Sequence, residues 1–170
     1  MGIQMSKEST LTKQSSYEMS RIVLIACVSK KQNRKSKAKD LYTSQLFTYS
    51  LAYANTLNPD KIFILSALYH LIEPESEIEP YDVTLSIIPM SKRKQGVVVL
   101  SSAEKKEWGK KVGEMLSKHA DLQCDQFIVL AGREYIKPIE PFLLNIDDPL
   151  KGMSIGKRLS YLKNQVGCSQ

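Results

Sequence analysis

The chain predicts a single three-layer α/β domain over residues 21–167, built on a mainly parallel sheet of three to four strands flanked by helices. Two observations predict it. The runs Ile22-Val23-Leu24-Ile25-Ala26-Cys27, Ile62-Phe63-Ile64-Leu65-Ser66-Ala67 and Phe127-Ile128-Val129-Leu130-Ala131-Gly132 are aliphatic or β-branched at both parities. Both faces of each are then buried, as in a central parallel strand. Each run also gives way to small and polar residues: Cys27-Val28-Ser29-Lys30-Lys31, Ser66-Ala67-Leu68-Tyr69-His70 and Gly132-Arg133-Glu134-Tyr135. In an open α/β sheet, ligands bind outside the carboxyl ends of the strands. Three such ends converging make one site, rich in hydroxyls and positive charge.

The elements follow in order. Residues 1–20 are polar, lack periodicity and read as a disordered leader. The first strand covers about 21–28, and 29–40 is a basic loop. Thr43 or Ser44 can cap a helix whose apolar face is Phe47, Leu51, Ala54 and Leu57. Asn58-Pro59-Asp60 ends it, because a residue before proline leaves the helical region. The second strand is 61–66. Residues 67–100 form a long connection with Glu73, Glu75, Glu77, Glu79 and Asp82 around Pro74 and Pro80, and with 83–88 extended. A connection of that length inside a compact domain is often functional. Ser101 with Glu104 makes a capping box for a helix that buries Trp108, Val112, Met115, Leu116 and His119. The third strand is 127–131, a short helix covers 135–143, and 148–152 is a turn. The last helix carries Ile155, Leu159, Leu162 and Val166 on one stripe.

Composition narrows the class. With 170 residues, 42% hydrophobic and 25% charged, the chain is that of a soluble globular protein. A net charge of +6 favours polyanionic partners such as nucleic acid. The cations cluster as Lys30, Lys31, Arg34, Lys35, Lys37 and Lys39, then Lys92, Arg93 and Lys94, then Lys105, Lys106, Lys110 and Lys111. A charge run is usually a solvated face, but the first of these directly follows a buried strand. Three widely spaced cysteines and two histidines suggest neither a disulfide framework nor a zinc site. No secretory signal or membrane span is visible, and a reducing cytoplasm is the simplest location. Met1-Gly2 with Ser6 fits a myristoylation pattern that is short enough to arise by chance.

Several residues can carry chemistry. Glu79-Pro80-Tyr81-Asp82 holds two carboxylates on a proline-stiffened backbone. Asp82 or Glu79 can activate water or steady a developing cation, or Asp82 can simply cap a turn beside a core Tyr81. Asp40 is a second possible base. Thr43 and Ser44 at a helix start can hold a phosphate or act as plain caps. Arg133, just past a strand end, suits bidentate phosphate binding, or pairs with Glu134 or the acidic loop. Cys27 reads as a small buried cysteine, Ser66 as a pocket-lining hydroxyl, and His70 as a residue to test. Ser29, Lys30 and Lys31 border the same site. There is no G-x-x-x-x-G-K-[ST], G-x-G-x-x-G, G-x-S-x-G or H-E-x-x-H, which disfavours the common nucleotide hydrolases, dinucleotide enzymes, esterases and zinc proteases.

One ordered set of segments runs through the chain. It comprises Val23-Leu24-Ile25-Ala26-Cys27, Lys39-Asp40-Leu41-Tyr42-Thr43-Ser44, Ile64-Leu65-Ser66-Ala67, Ile78-Glu79-Pro80-Tyr81-Asp82, Leu130-Ala131-Gly132-Arg133-x-Tyr135 and Pro149-Leu150-Lys151-Gly152-Met153-x-Ile155-Gly156. Over about residues 21–165 it resembles a small bacterial and phage-associated family known as a domain of unknown function. One branch of that family is similar to an anti-phage DNA glycosylase with a uracil-DNA-glycosylase-like α/β fold, which removes glucosylated hydroxymethylcytosine from phage DNA and leaves abasic sites. This chain has His70 where the pattern expects a glycine before Leu71. The water-activating and histidine motifs of ordinary uracil-DNA glycosylases are not recognisable, so their catalytic residues do not carry over.

The resemblance implies a monofunctional DNA glycosylase that acts on a modified base in double-stranded phage DNA, as a cytoplasmic monomer without metal or redox cofactor. Such an enzyme extrudes a nucleotide and clamps the flanking phosphates. Asp82 is the first choice for the carboxylate that orients water or steadies the cation, with Asp40 second. Lys30, Lys31, Ser44 and Arg133 bind phosphate, and Tyr42, Tyr69 or Tyr81 stacks on the flipped base or sugar. A metal-dependent nuclease or a base-exchanging transglycosylase, a non-enzymatic nucleic-acid-binding module, and an enzyme of free nucleosides are the alternatives.

Overall fold

Each of the three apolar runs is buried on both sides because each is an inner strand of one sheet. The structure, a computed structural model, describes residues 18–168. Most of the expected leader and the Met1-Gly2 pattern lie outside the described residues. In chain order the strands are β1 (Arg21–Ala26), β2 (Ser36–Lys37), β3 (Lys61–Ser66), β4 (His70–Ile72), β5 (Glu77–Ile78), β6 (Val83–Thr84), β7 (Val98–Val99), β8 (Gln126–Leu130) and β9 (Asn145–Asp147). The helices are α1 (Ala38–Leu41), α2 (Gln45–Thr56), α3 (Ser102–Leu116), α4 (Arg133–Ile136) and α5 (Ile155–Cys168).

The central sheet has the order β4-β3-β1-β8-β9. β1 pairs in parallel with both β3 and β8, and β8 with β9, while β4 returns antiparallel to β3. The sheet is therefore mainly parallel, as expected, with five strands rather than three or four. The two additional strands are three-residue edges, too short to show a period. Two small ladders stand outside it, β2 with β5 and β6 with β7.

The crossover from β1 to β3 and the one from β3 to β8 run in opposite directions along the sheet. Right-handed crossovers then put α2 and α3 on opposite faces. On the first face α2 packs against α5, with Tyr53 edge-on to Tyr161 at 6.1 Å. Burial and that neighbour push the Tyr53 hydroxyl up to about 12. On the other face α3 buries Trp108, Val112 and Leu116. The predicted caps form: the Ser44 hydroxyl, rather than that of Thr43, accepts from the Phe47 amide, and Ser101 and Glu104 make the reciprocal box.

The structure corrects several boundaries. β1 ends at Ala26, two residues early. The extended stretch 83–88 shrinks to Val83–Thr84, because the Thr84 hydroxyl accepts from the Ser86 amide and turns the chain. The helix expected over 135–143 is broken into α4 and a 3₁₀ turn at Glu140–Phe142, since Pro138 and Pro141 cannot continue it. His119 lies beyond the end of α3, with its ring 5.1 Å from that of Phe63. Ile155 is 68% exposed, because no described element covers the first turn of α5, and the buried side narrows to Leu162.

His70 holds a left-handed backbone with φ of +70° in the turn from β3 to β4. That conformation explains why glycine belongs there: a side chain in it costs about 1–2 kcal/mol. His70→Gly is expected to raise the melting temperature by about 2–4 °C, from a gain of about 1 kcal/mol. A lower melting temperature would show that the imidazole contacts outweigh the strain.

Candidate functional site

Because β3, β1 and β8 are adjacent and parallel, their carboxyl ends meet at one edge. The chain leaves β1 toward β3 and later crosses to β8 on the other side, so β1 marks the switch point of the sheet. The long connection after β3 folds back over this edge and brings its hydroxyls onto the strand ends. The Tyr69 amide donates to Ser66 Oγ (3.0 Å), Ser66 Oγ donates to the Tyr81 hydroxyl (2.8 Å), and Tyr81 shares a 2.6 Å hydrogen bond with the Tyr42 hydroxyl. Trp108 Nε1 holds the Ser66 carbonyl at 2.8 Å. Beside this chain, the Tyr135 hydroxyl lies 3.4 Å from Cys27 Sγ and 3.4 Å from Thr84 Oγ1, and accepts from the Leu85 amide. Burial, first of all, pushes the hydroxyls of Tyr42, Tyr81 and Tyr135 well above their ordinary range. They stay protonated and serve as fixed hydrogen-bonding groups rather than as bases.

Lys31 is folded inward. The Gln32 amide donates to the Leu41 carbonyl and the Thr43 amide to that of Lys30, which pins the loop after β1 against 41–43. The Lys31 ammonium then sits 4.4 Å from the centre of the Tyr81 ring and 5.8 Å from that of Tyr42. Its hydrogen-bond partner is the Ser29 carbonyl at 3.4 Å. Burial pulls its pKa below the ordinary lysine value, and Cys27 and Asp82 pull the other way. Asp82 is exposed and is thus a charge neighbour of this half-buried ammonium.

The other predicted residues fall around this centre in different ways. Cys27 is buried, as a small cysteine should be. Ser29 and Lys30 are exposed on the same loop. Tyr42 is 2% exposed and packs on Phe47, so the half-buried Tyr69, edge-on to Tyr81, is the tyrosine with surface to offer a base. Ser66 is buried and fully engaged. Glu79 is exposed, and its carbonyl accepts from the Tyr69 hydroxyl. Asp40 is exposed on α1, with Lys39 as a charge neighbour. The Ser44 hydroxyl is used as a helix cap. Arg133 pairs with Glu140 and lies 3.7 Å from Asp148, while Glu134 pairs with Lys105 instead. Lys37 and Lys39 both pair with Glu75, so part of the basic run faces the acidic connection.

A groove of about 730 Å³ opens beside the strand ends, between the β3–β4 turn, the β6–β7 ladder and α3. His70, Trp108, Lys110 and Lys111 line it. Burial and the Lys111 charge lower the pKa of His70, which favours the neutral imidazole. Another groove, of about 590 Å³, includes Asp60 and Lys61 at the amino end of β3, the end of the sheet away from the hydroxyl network.

Sequence reasoning missed Thr84, the hub role of Tyr135, and Asp148. The carboxylate of Asp148 follows β9, is 8% exposed, and among the described residues has no hydrogen-bond partner on either oxygen. Burial raises its pKa above 3.8 against the pull of Arg133, Lys151 and Arg158. A carboxyl raised on folding favours the folded state below its unfolded pKa, and that contribution is lost as pH rises through the folded value. Asp148→Asn is therefore expected to melt higher than the parent at about pH 7, with the advantage shrinking toward about pH 4. A lower melting temperature at neutral pH would show that Arg133 outweighs burial.

Among the described residues, no group of three or more His, Cys, Asp and Glu side chains could hold a metal ion, and no helix is long and apolar enough to cross a membrane. No curated protein and no solved structure matches the chain. A family model does match, over residues 22–164, which takes in every strand and helix around the carboxyl edge of the sheet. By that match the chain belongs to a family of unknown function, DUF6884.

Proposed function

We propose that the protein is a DNA glycosylase that excises a modified base, glucosylated hydroxymethylcytosine, from phage DNA and leaves an abasic site as a defence against phage. The observation that carries this reading is the exposed Asp82 carboxylate beside the half-buried Lys31 ammonium, at the switch point of a parallel sheet. Breaking an N-glycosidic bond needs a carboxylate to orient water and to steady the cationic sugar. Asp82 has the exposure for this, and Lys31 is its charge neighbour. The fixed hydroxyls of Tyr81, Tyr42 and Ser66 form a rigid floor, and the groove lined by His70 and Trp108 gives room for an extruded nucleotide. Lys110 and Lys111 are exposed cations that can meet phosphates on its rim, and Lys30 is exposed on the loop beside Lys31. The identity of the base rests on the family resemblance.

The test is to incubate the purified protein, in EDTA, with DNA carrying glucosylated hydroxymethylcytosine and, separately, with unmodified DNA. Free base is measured by mass spectrometry and abasic sites by alkaline cleavage. Base release from the modified DNA alone is expected. Salt-sensitive binding without base release would establish a binding module instead, and strand cutting that needs a divalent metal would establish a nuclease.

A further inference from the structure

From the inward fold of Lys31 we infer that this residue is an amine nucleophile, which gives the enzyme a second activity: cleavage of the DNA strand at the abasic site through a Schiff base. The inference rests on the glycosylase reading for its substrate class, an abasic deoxyribose, and changes the expected monofunctional enzyme into a bifunctional one. A lysine that clamps phosphate holds its ammonium out in water. Lys31 does the opposite, packing over the Tyr81 ring and toward that of Tyr42 with only a 3.4 Å hydrogen bond to the Ser29 carbonyl. Among the described residues no carboxylate lies within ion-pair distance of it, although Lys37, Lys39 and Lys105 all have one. Its backbone is pinned on both sides by the pairing of 30–32 with 41–43, so the amine is presented from a fixed point at the end of β1. Burial, which lowers its pKa, increases the share of neutral amine that can attack. Asp82 is the charged neighbour placed to move protons for it.

The chemistry balances without a co-reactant other than water. The neutral Nζ lone pair attacks C1′ of the open-chain aldehyde, and the resulting carbinolamine takes up a proton from solvent on its hydroxyl and loses water to give a protonated C1′=Nζ imine. Asp82 takes a proton from C2′, the electron pair moves toward the imine, and the C3′–O bond breaks with the 3′ phosphate leaving. Water then adds to C1′, which frees Lys31 and an unsaturated aldehyde.

The experiment uses the full chain and DNA in which the abasic site is already made, so that base release is not needed. Borohydride reduces the imine to a stable amine, and the covalent protein–DNA product is read on a denaturing gel and mapped by mass spectrometry. The expected result is an adduct on Lys31, lost by about tenfold or more in Lys31→Arg, which keeps the charge over the rings but has no nucleophilic amine. Melting of Lys31→Arg at the parental temperature excludes a folding cause. The trapping rate is expected to reach half its maximum below the ordinary lysine pKa. No adduct, an adduct on another residue, or full trapping by a folded Lys31→Arg overturns the proposal. Base release from modified DNA without an adduct leaves the glycosylase reading standing and removes the lyase step. An adduct on Lys31 without base release from modified DNA supports the amine role and sinks the glycosylase assignment.

Discussion

Gly109→Ala is expected to be the most destabilising single methyl group in this protein. A Cβ at position 109 of α3 would lie 2.2 Å from the Pro138 carbonyl oxygen, 2.6 Å from its carbon and 2.7 Å from its Cβ. The obstacle is backbone, and it cannot step aside, because the proline ring fixes its φ and buried Ile136 and Ile139 flank it. Overpacking usually costs about 1–3 kcal/mol, and a backbone clash takes the upper end or beyond. The helix propensity gained by replacing glycine, about 1 kcal/mol, offsets only part of that. A fall in melting temperature of about 5–10 °C follows for a chain of this size. Gly113→Ala is the graded control, since its Cβ would meet only the Phe142 side chain, at 3.2 Å. Gly156→Ala is the opposite control, with nothing within 4 Å, and is expected to be neutral or stabilising. If thermal melts show Gly109→Ala as stable as the parent, α3 does not approach Pro138 as described. The effect reaches the site, because the preceding residue, Trp108, holds the Ser66 carbonyl.

Asp82→Asn is expected to lower the rate of base release by about 100-fold or more, the range for loss of a general base or cation-stabilising carboxylate. Asparagine keeps the size and cannot accept a proton or carry the charge. The fold is expected to survive, since Asp82 is exposed and its structural bond, the carbonyl that accepts from the Val98 amide, belongs to the backbone. Glu79→Gln and Asp40→Asn serve as comparisons and are expected to cost less than about tenfold, because neither carboxylate is a charge neighbour of Lys31. Single-turnover base release with saturating enzyme separates the chemical step from DNA binding. Full base release by Asp82→Asn would remove the assigned mechanism and move attention to Asp40. Losing the Asp82 charge also removes one of the two influences that raise the Lys31 pKa. The pH dependence of borohydride trapping should therefore move to lower pH in the same variant.

The features legible in the residues are those set by near neighbours. Burial of both faces of β1, β3 and β8 follows from runs without alternation, and the structure buries Ile22 through Ile25 completely. The Ser44 cap and the Ser101–Glu104 box depend on groups three residues apart and form as expected. A site at the carboxyl ends of the strands follows from the same logic, since parallel strands must end together. Pro138 and Pro141 act just as locally, and they break the helix expected over 135–143.

What local pattern could not supply is which side chains meet. Tyr81 finds Ser66 across 15 positions and Tyr42 across 39, and Tyr135 finds Cys27 across 108. No periodicity or cap encodes such pairs; they exist because the long connection folds over the sheet edge and because the sheet places β8 beside β1. The same folding turned Lys31 from one cation in a run into a half-buried amine, and spent Lys37 and Lys39 on Glu75. It also left the Asp148 carboxylate buried without a hydrogen bond from any described residue. Charge runs and hydroxyl-rich strand ends mark where a site lies, because solubility and strand burial are averaged over many residues. The reactivity of each group depends on its few nearest atoms, and distant segments of the chain bring those together.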